Sequence, residues 1–256
     1  MAANSPNPNP NPSTDDRKYP PPPSPAIKPV AKADGKDFLT HLEIYLAKRD
    51  GVDKLLKISR YATKVLLASS IVADHHPLLP RLKSFEASVG VSRKAFRLGK
   101  FVQDINALRG IDFASRSSSY LFLCAIAYGG EGLYYFVEQL VWLGKAGLID
   151  KRRLPKLQLM SAWCEFVGYF GSVSLKVLEL RKIGEIESSS SSSSEEDVKK
   201  LREKKKMKRL SVVQDFADAL MALADIREGI APPPAVISSA GLLSAVISTH
   251  KNWVSC

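Results

Sequence analysis

The stretch SRKAFRLGKFVQDINALR (Ser92–Arg109) gathers Arg93, Lys94, Arg97 and Lys100 into its first nine residues, then runs apolar through Phe101, Ile105 and Leu108. On a helical wheel, Val91, Ala95, Leu98, Phe101, Val102, Ile105 and Leu108 share one arc of about 140°. The spacing predicts a single amphipathic helix that follows Gly90, with Ser92 as its N-cap. Arg93, Arg97 and Lys100 gather on one side of the polar arc with Asp104, whereas Lys94 and Arg109 project from the apolar face, where long stems snorkel. Phe96 sits among the polar positions and fits neither face. Such a helix packs its oily side on a protein core or lies in the plane of a lipid interface, and the residues alone leave both open. For the lipid case, four large apolar side chains give an upper bound of roughly 6 to 12 kcal/mol. A cation near an anionic leaflet adds about 1 kcal/mol, so salt should weaken binding without abolishing it.

Outward from this stretch the helical period continues. Phe38, Leu42, Tyr45 and Leu46 share one face, as do Val52, Leu55 and Leu56, with Asp50-Gly51 as an expected kink or division. Pro77 and Pro80, around ADHHPLLP, stop one helix and open another. Downstream, Tyr120–Gly144 and Ala235–Trp253 come closest to the roughly 20 apolar residues of a membrane span, with Trp142 and Trp253 placed like interfacial anchors. Glu131 and Glu138 interrupt the first, and Pro232, Pro233 and Pro234 precede the second. Leu157–Leu180 is also apolar, interrupted by Glu165 and Lys176. Hydropathy therefore leaves open whether these segments are core helices or membrane-embedded ones. Val213, Phe216, Leu220 and Leu223 mark a further amphipathic helix. No strand alternation or internal repeat is present, so the chain reads as all-α.

The 256 residues carry a formal net charge of +11 and are 45% hydrophobic, enough for a core and suited to an acidic partner. Residues 1–36 hold ten of the sixteen prolines and read as a disordered Pro/Asn-rich tail. Folding is expected over 37–114 as an amphipathic helical region and over 115–182 as a hydrophobic helical one. Residues 183–209 read as a linker: seven serines (Ser188–Ser194), then Glu195, Glu196 and Asp197, then eight Lys/Arg against one Glu in Lys199–Arg209. Residues 210–256 complete the chain with an amphipathic and a hydrophobic helix.

Cys124, Cys164 and Cys256 are too few and too scattered for a disulfide framework or a four-ligand zinc site. The polar start MAANSPNPNPNPSTDD holds no secretory core. Cys256 is not positioned as a prenylation box, and Val254-Ser255-Cys256 is not a Ser-Lys-Leu type address.

The basic run KKLREKKKMKR could contact nucleic-acid phosphates, but no aromatic is interleaved for base stacking, and a solvated segment beside an anionic leaflet accounts for it as well. His75 and His76, in a proline-bounded connector, read as an exposed loop pair rather than a metal site. Gly129, Gly130 and Gly132 lack the Gly-Lys-Ser/Thr and preceding strand of a phosphate loop, so close helix packing is their expected use. Glu131 and Glu138 are expected to meet Lys, Arg or amide partners. No catalysis and no cofactor is predicted. The Ser tract and its acidic flank could accept phosphate and compete with lipid for the basic run, or act as a plain spacer.

Four long motifs carry a resemblance. LAKRDGVDKLLKISRYA (Leu46–Ala62), GVSRKAFRLGKFVQDINALR (Gly90–Arg109), YGGEGLYYFVEQLVWL (Tyr128–Leu143) and THKNW (Thr249–Trp253) stand in the order seen in the peroxin-eleven proteins of the peroxisomal membrane, in their plant-type form. The chain resembles that family from about Phe38 to Cys256; the Pro/Asn tail and the serine tract depart from it. The resemblance implies a peroxisomal membrane protein with both termini facing the cytosol that elongates the organelle and promotes its proliferation and fission. It also implies self-association and work with a fission adaptor and a dynamin-related protein. The family's cationic amphipathic helix matches Ser92–Arg109. Arg93, Lys94, Arg97 and Lys100 would hold anionic phospholipid headgroups, and Leu98, Phe101, Ile105 and Leu108 would enter the acyl boundary.

Overall fold

The computed structural model describes residues 37–69, 71, 75–114, 116–189, 195–227, 229 and 232–256. Among them every regular element is helical, apart from turns, as the 3.6-residue periodicity predicts. The Pro/Asn-rich tail expected over residues 1–36 lies outside the described residues, as does most of the serine tract.

The first helix, α1 (Phe38–Ala47), ends at Lys48, where the backbone turns extended, and α2 (Arg49–Ala68) begins at once. The division falls three residues before the expected Gly51. Gly51 is nonetheless what permits it, because a Cβ there would collide with the backbone carbonyl of Tyr45. After the proline connector, α3 (Leu78–Phe96) begins behind Pro77. It runs through Gly90 and Ser92, whose hydroxyl donates back to the Ser88 carbonyl (3.1 Å) instead of capping a new helix.

The single helix predicted over Ser92–Arg109 is two. α3 stops at Phe96, and α4 (Phe101–Arg109) starts after a tight turn. Gly99 makes that turn at φ +73°, in the left-handed region that favours glycine. The Arg97 and Leu98 amides close it on the carbonyls of Lys94 (3.2 Å) and Ala95 (3.0 Å).

Ser117 caps α5 (Ser118–Lys145), its hydroxyl accepting from the Tyr120 amide at 3.4 Å. A 3₁₀ turn, Lys151–Arg153, capped by Asp150, leads into α6 (Leu154–Ser189). α7 (Glu195–Ile226) and α8 (Pro234–Val254) follow, the latter with proline at its first position. Residues 183–189 and 195–209, expected as linker, are therefore the end of α6 and the first half of α7. Charge pairing explains this order: Lys205 of α7 bonds Glu187 of α6, and Lys208 pairs with Glu179.

Six helices close into a ring in the sequence α2, α3, α5, α6, α7, α8 and back to α2, each packed on its two neighbours. Paired residues run in opposite senses along every seam, so the ring alternates up and down. α4 lies along α5, and α1 rests on α2. The α5/α6 seam is the closest. A Cβ on Gly130 would stand 2.7 Å from the backbone of Gly168, and one on Gly171 would stand 2.6 Å from that of Ala127. Small residues three apart on each helix, Ala127 and Gly130 on α5 and Gly168 and Gly171 on α6, thus bring the two backbones together.

α1 closes against the end of α8. Trp253 stacks among Phe38, His41 and Tyr45, with ring centroids 5.7, 4.2 and 5.5 Å away, and its carbonyl meets His41 Nε2 at 2.9 Å. Trp253 is thus a clasp between the two ends of the folded region, a use its place near the end of an apolar run did not reveal.

Candidate functional site

In a water-soluble bundle the apolar stripes face in. Here polar residues share the interior with apolar ones such as Cys124, Val141 and Ile247. Asp53, Lys57, Arg93, Glu138, Ser161, Asp215, Asp218, Ser244 and Ser248 are all buried. On the outside stand Phe122, Leu133 and Phe136 of α5, Trp163, Val167 and Phe170 of α6, Phe216 of α7 and Leu243 and Val246 of α8. α7 shows the inversion within one turn: Phe216 is 60% exposed while Asp215 and Asp218, beside it in sequence, are 4% exposed each.

Burying a charge is unfavourable unless it is paired, and Asp53, Glu138, Asp215 and Asp218 each bridge a seam of the ring, whereas the Oδ2 of buried Asp104 on α4 has no hydrogen-bond partner. Between α2 and α3, Arg93 Nε donates to Asp53 Oδ1 at 3.0 Å, and Arg97 approaches the same oxygen at 3.5 Å. Burial acts to raise the Asp53 carboxyl, but Arg97 and Arg93 more than offset it and hold it well below the ordinary carboxylate range. Between α2, α7 and α8, Lys57 Nζ donates to Asp218 Oδ1 (2.8 Å) and Ser244 Oγ (2.6 Å), and Ser244 donates to Asp218 (2.6 Å). Between α3, α5 and α6, Lys94 bonds both oxygens of Glu138, which also accepts from Ser161 at 3.4 Å. Between α6 and α7, Lys176 and Ser172 meet Asp215. Glu138 thus has the lysine partner expected of it. The inner faces of the six ring helices line a charged, partly open cavity of about 840 Å³.

The residues singled out in Ser92–Arg109 divide into two groups. Arg93, Lys94 and Arg97 point inward: Arg93 and Lys94 to the carboxylates just described, Arg97 also to the Tyr134 hydroxyl at 2.7 Å. Lys100 reaches Asp50 at 3.4 Å and lies over the Tyr135 ring, 5.0 Å from its centroid. The apolar residues point the other way. Leu98 is 49% and Ile105 46% exposed, with Val102 beside them. Phe101 is half-buried edge-on to Phe136, whose centroid is 5.7 Å away, and Leu108 is half-buried. The turn at Gly99 permits this split by letting Arg97 face Asp53 while Leu98 faces out.

Elsewhere, Gly130 meets the α6 backbone, Gly132 packs on the Asp104 side chain, and nothing approaches Gly129. His75 and His76 are exposed. Among the described residues no cluster of His, Cys, Asp and Glu could hold a metal ion. In the basic run, Lys200, Lys205 and Lys208 pair with Glu196, Glu187 and Glu179, which leaves a less cationic surface than its composition suggests. Asp53, Lys57, Asp215 and Asp218 escape sequence reasoning; their one signal is that each is an ionisable residue inside an otherwise helical apolar pattern.

Ion pairs inside and large apolar side chains outside are the arrangement expected of a helical protein in contact with lipid. α5 alone among the described residues passes as a spanning helix by length and composition, its 28 residues reaching about 42 Å. Comparison with known proteins narrows the class. The sequence model described as Peroxisomal biogenesis factor 11 (PEX11) matches residues 39–253, and the chain belongs to that family of peroxisomal membrane proteins. It is 58% identical to Peroxisomal membrane protein 11A of Arabidopsis thaliana over 242 residues, covering 89% of this chain and 97% of that one. It is 52% identical to Peroxisomal membrane protein 11-3 of Oryza sativa subsp. japonica, covering 86% and 91%. No solved structure matches it.

Proposed function

We propose that this protein sits in the peroxisomal membrane and curves it, promoting elongation and then fission of the organelle. The observation that carries the reading is the outward apolar edge of α4 and the turn before it, held on a bundle by the inward ion pairs of Arg93 and Lys94. Leu98 and Ile105, with Phe101 and Leu108 behind them, enter the acyl boundary of one leaflet. A wedge about 5 to 10 Å deep expands that leaflet, and curvature relieves the mismatch. Arg93, Lys94 and Arg97, expected at the headgroups, anchor the wedge to the bundle instead, and Lys100, at the turn, pairs with Asp50.

Many copies are needed to shape a tubule, which fits self-association and recruitment of a fission adaptor and a dynamin-related protein. Catalysis has no part in this mechanism. The test is tubulation of anionic liposomes by the purified protein: Leu98→Asp with Ile105→Asp, at two exposed positions, is expected to abolish tubulation while thermal unfolding stays within about 1 kcal/mol of the parent. Tubules formed as before by this variant would end the wedge account.

Both termini facing the cytosol finds support in the clasp of Trp253 on Phe38 and His41, which puts the two ends of the folded region together. Tags at residue 1 and at residue 256 on intact peroxisomes are expected to be digested by added protease alike. Protection of one and not the other would contradict it.

A further inference from the structure

α4 is held more lightly than the ring helices. It is nine residues long, lies between Gly99 and Gly110, and packs on α5, whereas every ring helix has two neighbours. A helix that short is marginal by itself. Asp104 is its one buried residue, 8% exposed. It fits the seam because α5 presents a glycine there: a Cβ on Gly132 would stand 3.2 Å from the Asp104 Cβ. Docking on α5 therefore takes a carboxyl out of water, yet its Oδ2 has no hydrogen-bond partner. Asp53, Glu138, Asp215 and Asp218, by contrast, each meet a cation across a seam.

Two charged groups act on Asp104. Glu131, the residue before Gly132 on α5, opposes a second negative charge beside it. Lys100, just ahead of α4, acts the other way, but it is engaged by Asp50 at 3.4 Å and by the Tyr135 ring of α5. Burial first, and Glu131 next, push the Asp104 carboxyl up to about 7. A carboxyl raised in the docked helix holds its proton more tightly there than when α4 is free, where it returns towards the ordinary 3.8. Docking is therefore strongest in acid, weakens about tenfold per pH unit as pH rises between those two values, and levels off above the higher one.

We propose that Asp104 is a proton-operated latch: neutral, it lets α4 rest on α5, and ionised, it releases the helix to turn on Gly99 and Gly110 into the adjoining leaflet. Gly99 suits a hinge, being already in the left-handed region with nothing within 4 Å of where its Cβ would be. Release frees Phe101 and Leu108, half-buried in the docked state, to join Leu98, Val102 and Ile105 among the acyl chains, and returns the carboxylate to water. Only this consequence for lipid rests on the wedge reading; docking and release are properties of the chain alone.

The experiment is hydrogen exchange followed by mass spectrometry on the full chain in a neutral detergent, from pH 6 to pH 8, with exposure times scaled to the intrinsic exchange rate. Peptides spanning residues 101–109 are expected to lose protection about tenfold between pH 6 and pH 8, while those from α8 stay constant. Asp104→Asn, neutral at every pH, should keep α4 protected at pH 8 and abolish the dependence. Glu131→Gln, which leaves Asp104 in place and removes the neighbouring charge, should make the fall smaller. Constant protection in the parent, the same fall in Asp104→Asn, or an undiminished fall in Glu131→Gln would overturn the latch. Tubulation of anionic liposomes is read separately, and should be greater at pH 8 than at pH 6 in the parent and indifferent to pH in Asp104→Asn. Exchange behaving as stated while parental tubulation ignores pH would uphold the latch and count against the wedge.

Discussion

Alanine at Gly130 is expected to unfold the protein, and alanine at its neighbour Gly129 to stabilise it slightly. A Cβ on Gly130 would meet the backbone nitrogen and Cα of Gly168 at 2.7 Å and the Cys164 carbonyl at 3.1 Å. These are backbone atoms of a long helix, so neither side can yield by a rotamer change, and α5 and α6 must separate along their whole seam. Overpacking usually costs about 1 to 3 kcal/mol where side chains can adjust; with backbone on both sides the loss should reach or exceed the upper figure. That corresponds to a drop of roughly 6 to 12 °C or more in the unfolding temperature in detergent. Gly129 has nothing within 4 Å, and replacing an open helical glycine by alanine gains up to about 1 kcal/mol. Opposite shifts at adjacent positions would place the glycine requirement in the seam and not in the sequence run. Equal shifts would remove the close approach as an explanation.

The second large effect lies in the Lys57–Asp218–Ser244 cluster. Asp218→Ala leaves the Lys57 ammonium buried with only a hydroxyl, and breaking a buried pair in this way is expected to destabilise by about 3 to 5 kcal/mol. Restoring an apolar match with Lys57→Met and Asp218→Leu together should recover most or all of it, because the desolvation of both charges is removed at once. The single and double variants, compared by thermal unfolding in detergent, form a cycle. If the double variant is as unstable as the single one, the pair is not what joins α2 to α7 and α8.

What the residues disclosed in advance follows from what periodicity measures. The 3.6-residue pattern identifies that a helix has two unlike faces, and on that ground the all-α class and most of the helices were legible. It does not say which face is turned to solvent. Val213, Phe216, Asp215 and Asp218 show the difficulty: the stripe that would be core in water is on the outside here, and the acids are within. Pairings such as Lys57 with Asp218 join positions far apart in the chain, and a single sequence carries no trace of them. Gly99 carries a visible signal: a glycine shortly after Arg97 is a common helix end, and it breaks the wheel on which Ser92–Arg109 forms one continuous face. The packing role of Gly130 was legible because small residues facing one another require only the sequence and a helix.

The clasp of Trp253 against α1 and the seam of α8 on α2 also bear on how the molecule comes to be made. The ring cannot close until its final helix has been synthesised, since α2 and α8 stand at opposite ends of the folded region. Such distant contacts form late and slowly, so the nascent chain passes through a stage in which Lys57 and Asp53 lack their eventual neighbours while apolar faces are bare. Until the last helix emerges, those bare faces are where aggregation would start.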